Sequence, residues 1–211
     1  MDDKRVSMYV AGDVIGSSTL SKEDYIALRE KMNQIIADAC SFDDGSKGVV
    51  ERGDSISIVH TNTYPILRTV LLMKFGIKSL DLPSASKLMK KHGMKVAASI
   101  GELRLSNLDE WIIDGPAAYM AGRALDKMTT KTIKTSLSDV DDVCGYLDMV
   151  SVFVDSVVAR ATRNQSEIMY NLLMGLTQEE VADKLGITQT CVSHQSKAVG
   201  WRGIKKVLKK F

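Results

Sequence analysis

The stretch Gly175-Leu-Thr-Gln-Glu-Glu-Val-Ala-Asp-Lys-Leu-Gly-Ile-Thr-Gln-Thr-Cys-Val-Ser193 spells two short helices joined by a tight turn. Thr177 is an N-cap residue. Glu180 sits three positions on and completes a capping box with it. The first helix runs to about Leu185, where Gly186 supplies the left-handed residue that a sharp turn needs. Thr188 then caps a second helix. Ala182 is small where two helices approach, and Val181, Leu185, Ile187 and Val192 are expected to bury a shared face. This is the pattern of a helix-turn-helix, and it makes double-stranded DNA the first partner to consider.

In that geometry the second helix enters the major groove. Gln189, Thr190, Ser193 and His194 are the candidates for base edges, because Gln bonds adenine bidentately and Ser or Thr bond several edges, and the cap Thr188 is counted with them as DNA-binding. Lys197, further along, is the candidate for phosphate. From Lys184 to Phe211 there is no acidic residue, and residues 163–211 carry eight basic against four acidic side chains. The whole chain is only +2, so the basic charge is concentrated at this end. Such asymmetry suits a basic foot on a neutral body. A helical hairpin that merely packs, or that contacts another protein, is the competing reading. In the tail, apolar residues at 201, 204, 207, 208 and 211 have helical spacing, which puts Trp201 toward the core and the lysines outward.

The chain has 211 residues, of which 45% are hydrophobic, enough for one large domain or two small ones. No apolar run reaches the roughly 18 residues of a membrane span, and no signal-peptide region follows the first residues. Cys40, Cys144 and Cys191 are far apart and form neither a disulfide framework nor a zinc pattern. His60, His92 and His194 are equally scattered. The expected setting is reducing and cytoplasmic.

Upstream, residues 6 to about 145 alternate strand and helix patterns. Val6–Ala11, Val49–Arg52, Ser55–Val59 and Lys95–Ile100 read as strands, with Gly53-Asp54 as a hairpin turn and Gly101–Leu105 continuing or returning the last strand. Glu23–Cys40, Tyr64–Phe75 and Pro116–Lys127 read as helices, and prolines 65 and 116 fit first turns. The stretch 129–142 reads as a small edge element or a loop. From Tyr146 the pattern is helical. The expected fold is α+β: a ferredoxin-like split βαβ sheet over residues 1–145, followed by an all-α helix-turn-helix domain over 146–211.

One further constellation lies in the sheet domain. Asp13 follows the first strand, and the turn with Gly16, Ser17 and Ser18 behind it has backbone amides suited to a phosphate. Asp54 lies in the hairpin turn beside that strand. Two carboxylates at one sheet end are what Mg²⁺ or Mn²⁺ and a nucleoside triphosphate need. Arg123, on a later helix, can add positive charge. Each residue alone also has a plain structural reading: a helix cap, turn chemistry, a surface cation.

The segments Val10-Ala-Gly-Asp-Val-Ile-Gly-Ser17, Arg52-Gly-Asp-Ser55, Ala98-Ser-Ile-Gly-Glu102 and Gly115-Pro-Ala-Ala-Tyr-Met-Ala-Gly-Arg123 resemble, in order, class III nucleotide cyclase catalytic domains. With Arg163-Asn-Gln165 and Ala198-Val-Gly-Trp-Arg202, the chain resembles the SatD family, which joins a cyclase-like domain to a helix-turn-helix. The resemblance implies that Asp13 and Asp54 match the metal carboxylates and Arg123 the transition-state arginine. Two positions depart from it. Tyr119 stands where cyclases have the ribose-orienting asparagine, and Val50 where they have the adenine-selecting lysine. Cyclisation needs the reacting atoms and two metals held in line, so these departures favour a nucleotide or metal sensor over an efficient enzyme. The expectation is a homodimeric bacterial transcription regulator with a degenerate cyclase-like sensor domain; the alternative is a divalent-metal-dependent nucleotide cyclase.

Overall fold

The computed structural model describes residues 6–107, 110–129, 135–139 and 146–209. Cys144, Lys210, Phe211 and the parts of the 129–142 stretch beyond these ranges lie outside the described residues. The first half contains strand β1 (Val6–Val14), helix α1 (Lys22–Cys40), the hairpin β2 (Lys47–Glu51) and β3 (Ser55–His60), helix α2 (Ile66–Lys78), the short helix α3 (Lys87–His92) and strand β4 (Met94–Glu102). β1 lies between β3 and β4 and is antiparallel to both, while β2 extends the sheet beyond β3. The order β4-β1-β3-β2 with two intervening helices is the ferredoxin-like arrangement that the sequence predicts. Strand β7 (Thr135–Asp139) adds to β4 in parallel and makes the sheet five-stranded.

Alternation along β1 assigns the faces. Met8, Val10 and Val14 enter the core with Leu28, Met32, Ile56 and Met73 beneath α1 and α2. Tyr9, of opposite parity, packs on the other face against helix α4 (Pro116–Lys127), through Ala117 and Ala121. Asp13 shares that second parity. A separate two-stranded ribbon, β5 (Arg104–Asn107) with β6 (Ile112–Asp114), leads into α4.

Helix α2 is the hub. Every residue from Ile66 to Lys78 except Arg68 is buried, as befits a helix packed on all sides. Gly76 is where it meets its neighbours most closely: a Cβ there would lie 2.7 Å from Ile35 Cδ1 of α1 and 2.8 Å from the Tyr170 ring. The remaining helices are α5 (Tyr146–Arg160), α6 (Arg163–Leu173), α7 (Gln178–Leu185), α8 (Gln189–Val199) and α9 (Trp201–Leu208). α6 lies against α2. Its Tyr170 hydroxyl donates to Asp38 of α1 at 2.5 Å, and Lys31 Nζ sits 3.7 Å from the Tyr170 ring centroid. Buried residues from α5, α6, α7 and α8 join those of the sheet half in one continuous core.

Several details differ from the sequence expectations. β1 runs through Asp13 instead of ending before it, because its ladder with β4 continues to Val14↔Met94. α2 starts at Ile66 with Pro65 as its N-cap, not within its first turn, and ends at Lys78. Strand β4 stops at Glu102, and the chain then forms the separate β5–β6 ribbon. Ile187 is 37% exposed, not buried. It sits in the turn beyond Gly186, where its amide closes the first helix on Ala182 O and its side chain faces outward. No described helix is long and apolar enough to cross a membrane.

Candidate functional site

The α7–α8 pair is fixed by local chemistry. Thr177 Oγ1 accepts from Glu180 N, and the Glu180 carboxylate accepts from Thr177 N at 2.7 Å, which completes the capping box. The bonds the carboxylate accepts from Thr177 N and Oγ1 hold the Glu180 carboxyl below its usual range. Gly186 takes φ 65°, ψ 33°, and its amide and that of Ile187 close α7 on Asp183 O and Ala182 O. Thr188 Oγ1 accepts from Cys191 N and starts α8. Thr162 and Gln165 form a second capping box at the start of α6. Three well-defined helix starts thus stand in a row, each worth about 1 kcal/mol against an alanine cap.

Helix α8 buries Val192, Ser196 and Val199 and leaves the opposite side free. Thr188, Gln189, Thr190, His194 and Lys197 are exposed, and Ser193 is half-buried with its carbonyl accepting from Ser196 Oγ. All six sequence candidates therefore belong to the cap and accessible surface of one helix. Gln189 Nε2 donates to Gln178 Oε1 of α7 at 3.1 Å, so the first residue of α8 is oriented by the first residue of α7. Trp201 is half-buried at the start of α9 and packs on the core edge.

The carboxylates meet at the end of β1. Asp13 Oδ1 accepts from Ser55 Oγ at 3.2 Å, and Lys95 Nζ lies 3.8 Å from Asp13 Oδ2. Val14 N donates to Asp54 O at 3.0 Å, which ties the β2–β3 turn to β1. Arg29 of α1 donates to Gly53 O in the same turn. Burial and then the neighbouring Asp54 charge push the Asp13 carboxyl up, against the opposing pull of Lys95 and Ser55. The turn behind β1 is Gly16 in the left-handed region, φ 69°, followed by a 3-10 turn over Ser17–Thr19. Ser17 is buried and its hydroxyl donates to Asp54 Oδ2; Gly16 and Ser18 are exposed. Ser17 thus lies beside the carboxylate pair, with Gly16 and Ser18 flanking it in the chain. Ser17 meets it through its side chain.

Arg123 is exposed on α4, and among the described residues no hydrogen bond or ion pair links it to either carboxylate. Tyr119, one turn earlier, is 60% exposed. Among the described residues no third His, Cys, Asp or Glu joins Asp13 and Asp54. As a donor set, two hard carboxylates beside a serine hydroxyl fit one Mg²⁺ or Mn²⁺ that keeps several waters. A cation here would offset the Asp54 repulsion that adds to burial in raising Asp13.

Sequence reasoning missed a second polar centre. Asp43, buried after α1, accepts from Ser46 Oγ, Thr61 N and Asn62 N, and also from Asn62 Nδ2. His60, fully buried, bonds Ser46 Oγ through Nδ1 and Thr69 Oγ1 through Nε2, both at 2.9 Å. With no path to solvent at His60, this cluster locks the loop before β2 onto β3 and α2. No spacing rule marks it, because its members come from three separate elements.

No protein-family model matches the chain, and no curated protein matches it. Among solved structures, the chain is similar to the guanylyl cyclase Cya2, at 15% identity and a TM-score of 0.44, covering 60% of this chain and 72% of that one. It is similar also to the dimeric guanylyl cyclase domain of the RhoGC fusion protein from the aquatic fungus Blastocladiella emersonii, at 16% identity and a TM-score of 0.46, covering 59% and 75%. A bacterial light-regulated adenylyl cyclase matches at 16% identity and a TM-score of 0.43, with the chain spanning 42% of its length. At such distance the site's chemistry has to be read from its own residues.

Proposed function

We propose that the chain is a DNA-binding regulator in which α7 and α8 act as a helix-turn-helix and α8 reads the major groove. The observation that carries this reading is the free face of α8. An anchored helix presents Gln189, Thr190, Ser193 and His194 at its first turns and Lys197 beyond them, capped by Thr188. Short polar groups near the N-terminus of a groove-entering helix meet base edges, and a later lysine meets phosphate. The lysines of α9 add charge on the same end of the molecule. The test is equilibrium binding to promoter-derived duplexes over a range of salt. Affinity that falls steeply with salt supports the reading, because phosphate contacts release counterions; binding that ignores salt favours a protein partner instead.

In this proposal the ferredoxin-like half, residues 1–145, is a sensor and pairing domain and residues 146–211 form the reading domain. A homodimer presents two reading helices to a palindrome. Met149, Val152 and Phe153 are 53%, 52% and 72% exposed along α5. A row of exposed apolar side chains of this kind extends the pairing surface beyond residues 1–145 onto α5.

A second reading, a metal-dependent enzyme acting on a nucleoside triphosphate, is favoured by the Asp13–Asp54 pair alone. Asp13, Asp54 and the Ser17 hydroxyl would hold the cation, which would supply Lewis-acid charge to a phosphate, and Gly16 and Ser18 lie where a phosphate would approach. The exposed Arg123, Tyr119 in place of an orienting amide, and Val50 before the turn all weigh against turnover. A sensor of divalent cation or nucleotide fits these residues better.

A further inference from the structure

Arg68 is the residue of α2 that escapes complete burial, and the reason is a pocket. Its guanidinium stacks over the Phe42 ring, 4.6 Å from the centroid, and donates to Leu173 O at the end of α6. One N–H of five is spent there, and the stacking holds the remaining donors in a fixed plane. Arg68 lines a half-open pocket of about 360 Å³ between α2, the α6–α7 connection and α9. On the α9 side the wall is a single stripe at four-residue spacing: Trp201, Lys205 and Lys209. Leu172, Leu176 and Leu208 supply apolar surface. Three cations therefore line one cavity, and none of its lining residues is acidic.

We infer that this pocket binds a small aromatic acid, with the acidic group held by Arg68, Lys205 and Lys209 and the flat apolar body laid against Trp201 and the leucines. Three like charges around one cavity repel each other and attract an anion, and a partly enclosed site focuses that field. A planar guanidinium matches a carboxylate or phosphate bidentately. The volume lies within the range of small-molecule sites, and an indole face favours a flat ring.

The pocket also touches the reading helix. Gln178 lines it, and Gln178 Oε1 is the acceptor for Gln189 Nε2. An anion that accepts from Gln178 Nε2 reorients that amide and so changes how its Oε1 holds Gln189. Ligand in the pocket thus alters the first side chain of α8. This second half rests on the DNA-reading proposal; the binding half stands without it.

The experiment uses the full chain carrying Trp111→Phe, so that Trp201 is the sole indole, and follows its fluorescence during titration with 1-naphthoate. Parallel titrations use the neutral 1-naphthalenemethanol and inorganic phosphate. Saturable quenching is expected, with at least tenfold weaker binding of the neutral probe and of phosphate. Lys205→Glu with Lys209→Glu, two exposed positions, is expected to weaken naphthoate at least tenfold while thermal unfolding stays unchanged. Gln178→Ala is expected to weaken naphthoate binding far less than the double lysine variant and to abolish any effect of naphthoate on DNA affinity. The proposal is overturned by any of three results: no saturation at millimolar naphthoate, equal binding of the neutral probe or of phosphate, or unaltered affinity in the double variant. Naphthoate binding by a chain that fails to bind any duplex would sink the DNA reading and leave the pocket standing.

Discussion

Lys74 of α2, fully buried, donates from Nζ to Asp155 Oδ1 of α5 at 2.9 Å. Asp155 in turn accepts from Thr135 N and Oγ1 of β7, and one turn along α2 the Lys78 ammonium donates to Val158 O near the end of α5. This is how α5 is tied to the sheet half, where apolar contact alone would permit sliding. Breaking a buried pair by removing one partner costs about 3–5 kcal/mol, because the other charge is left in a poor solvent. Asp155→Asn is therefore expected to lower urea-unfolding stability by roughly that amount, and Lys74→Met added to it should recover more than half of the loss. A double variant no more stable than Asp155→Asn would contradict the assignment.

A second prediction concerns acid. Burial pushes the His60 imidazole down to about 4, with the Asp43 charge opposing. The unfolded chain protonates histidine near pH 6.5, so between those values the unfolded state binds the extra proton. This contribution to stability is complete above about pH 6.5 and is lost as pH falls toward 4, at no more than about 1.4 kcal/mol per unit. For Asp43, burial acts upward but the bonds from Asn62, Ser46 and Thr61 outweigh it and hold the carboxyl below its usual range; its share disappears at still lower pH. Chemical unfolding from pH 7 to 4 should show the loss, and His60→Gln should flatten it. An unchanged slope in that variant would assign the acid sensitivity elsewhere.

At the end of β1, the raised Asp13 carboxyl answers to burial and to Asp54. Asp54→Asn is expected to move Asp13 down toward its ordinary value, readable as a carboxyl carbon titration by NMR. The same variant should weaken Mn²⁺ binding, followed by the electron-spin signal of the free ion, by tenfold or more. Equal Mn²⁺ affinity in both proteins would remove the cation from the proposal.

Pairing through α5 makes a separate claim. Phe153→Lys puts a charge at the most exposed apolar side chain of that helix. Sedimentation should show a dimer for the wild-type chain and a monomer for the variant, with unchanged far-ultraviolet circular dichroism. A dimer that survives the substitution would move the interface to another surface.

Legibility in the sequence followed the range of the interaction. The starts of α7 and α8 and the Gly186 turn were readable because capping joins residues three apart and a left-handed turn needs only glycine. The strands β1, β3 and β4 were readable from apolar runs and alternation, and the carboxylate pair from their order. Strand β7 was readable only as an edge element or a loop, because Thr135-Ser-Leu-Ser-Asp139 offers one large apolar side chain and owes its place to β4. Lys74 and Lys78 look like solvated residues, yet the fold gives their ammonium groups acceptors on α5 (Asp155 and Val158 O) and beside it (Met94 O and Lys91 O). The Asp43–His60 cluster and the Arg68 pocket depend on elements that meet through the fold, which no local pattern encodes. Ile187 was expected inside because it is apolar, yet the turn's own backbone bonds aim it outward.

The most direct test of the central claim is a binding titration of the full chain against a selected duplex, with Gln189→Ala and Lys197→Ala compared across sequences and salt. Gln189→Ala should cost about 1–3 kcal/mol on the selected site and relax preference at one base pair, whereas Lys197→Ala should weaken all duplexes alike and reduce the salt slope by about one. Should Gln189→Ala leave both affinity and base preference untouched, α8 is not the reading helix and the account fails.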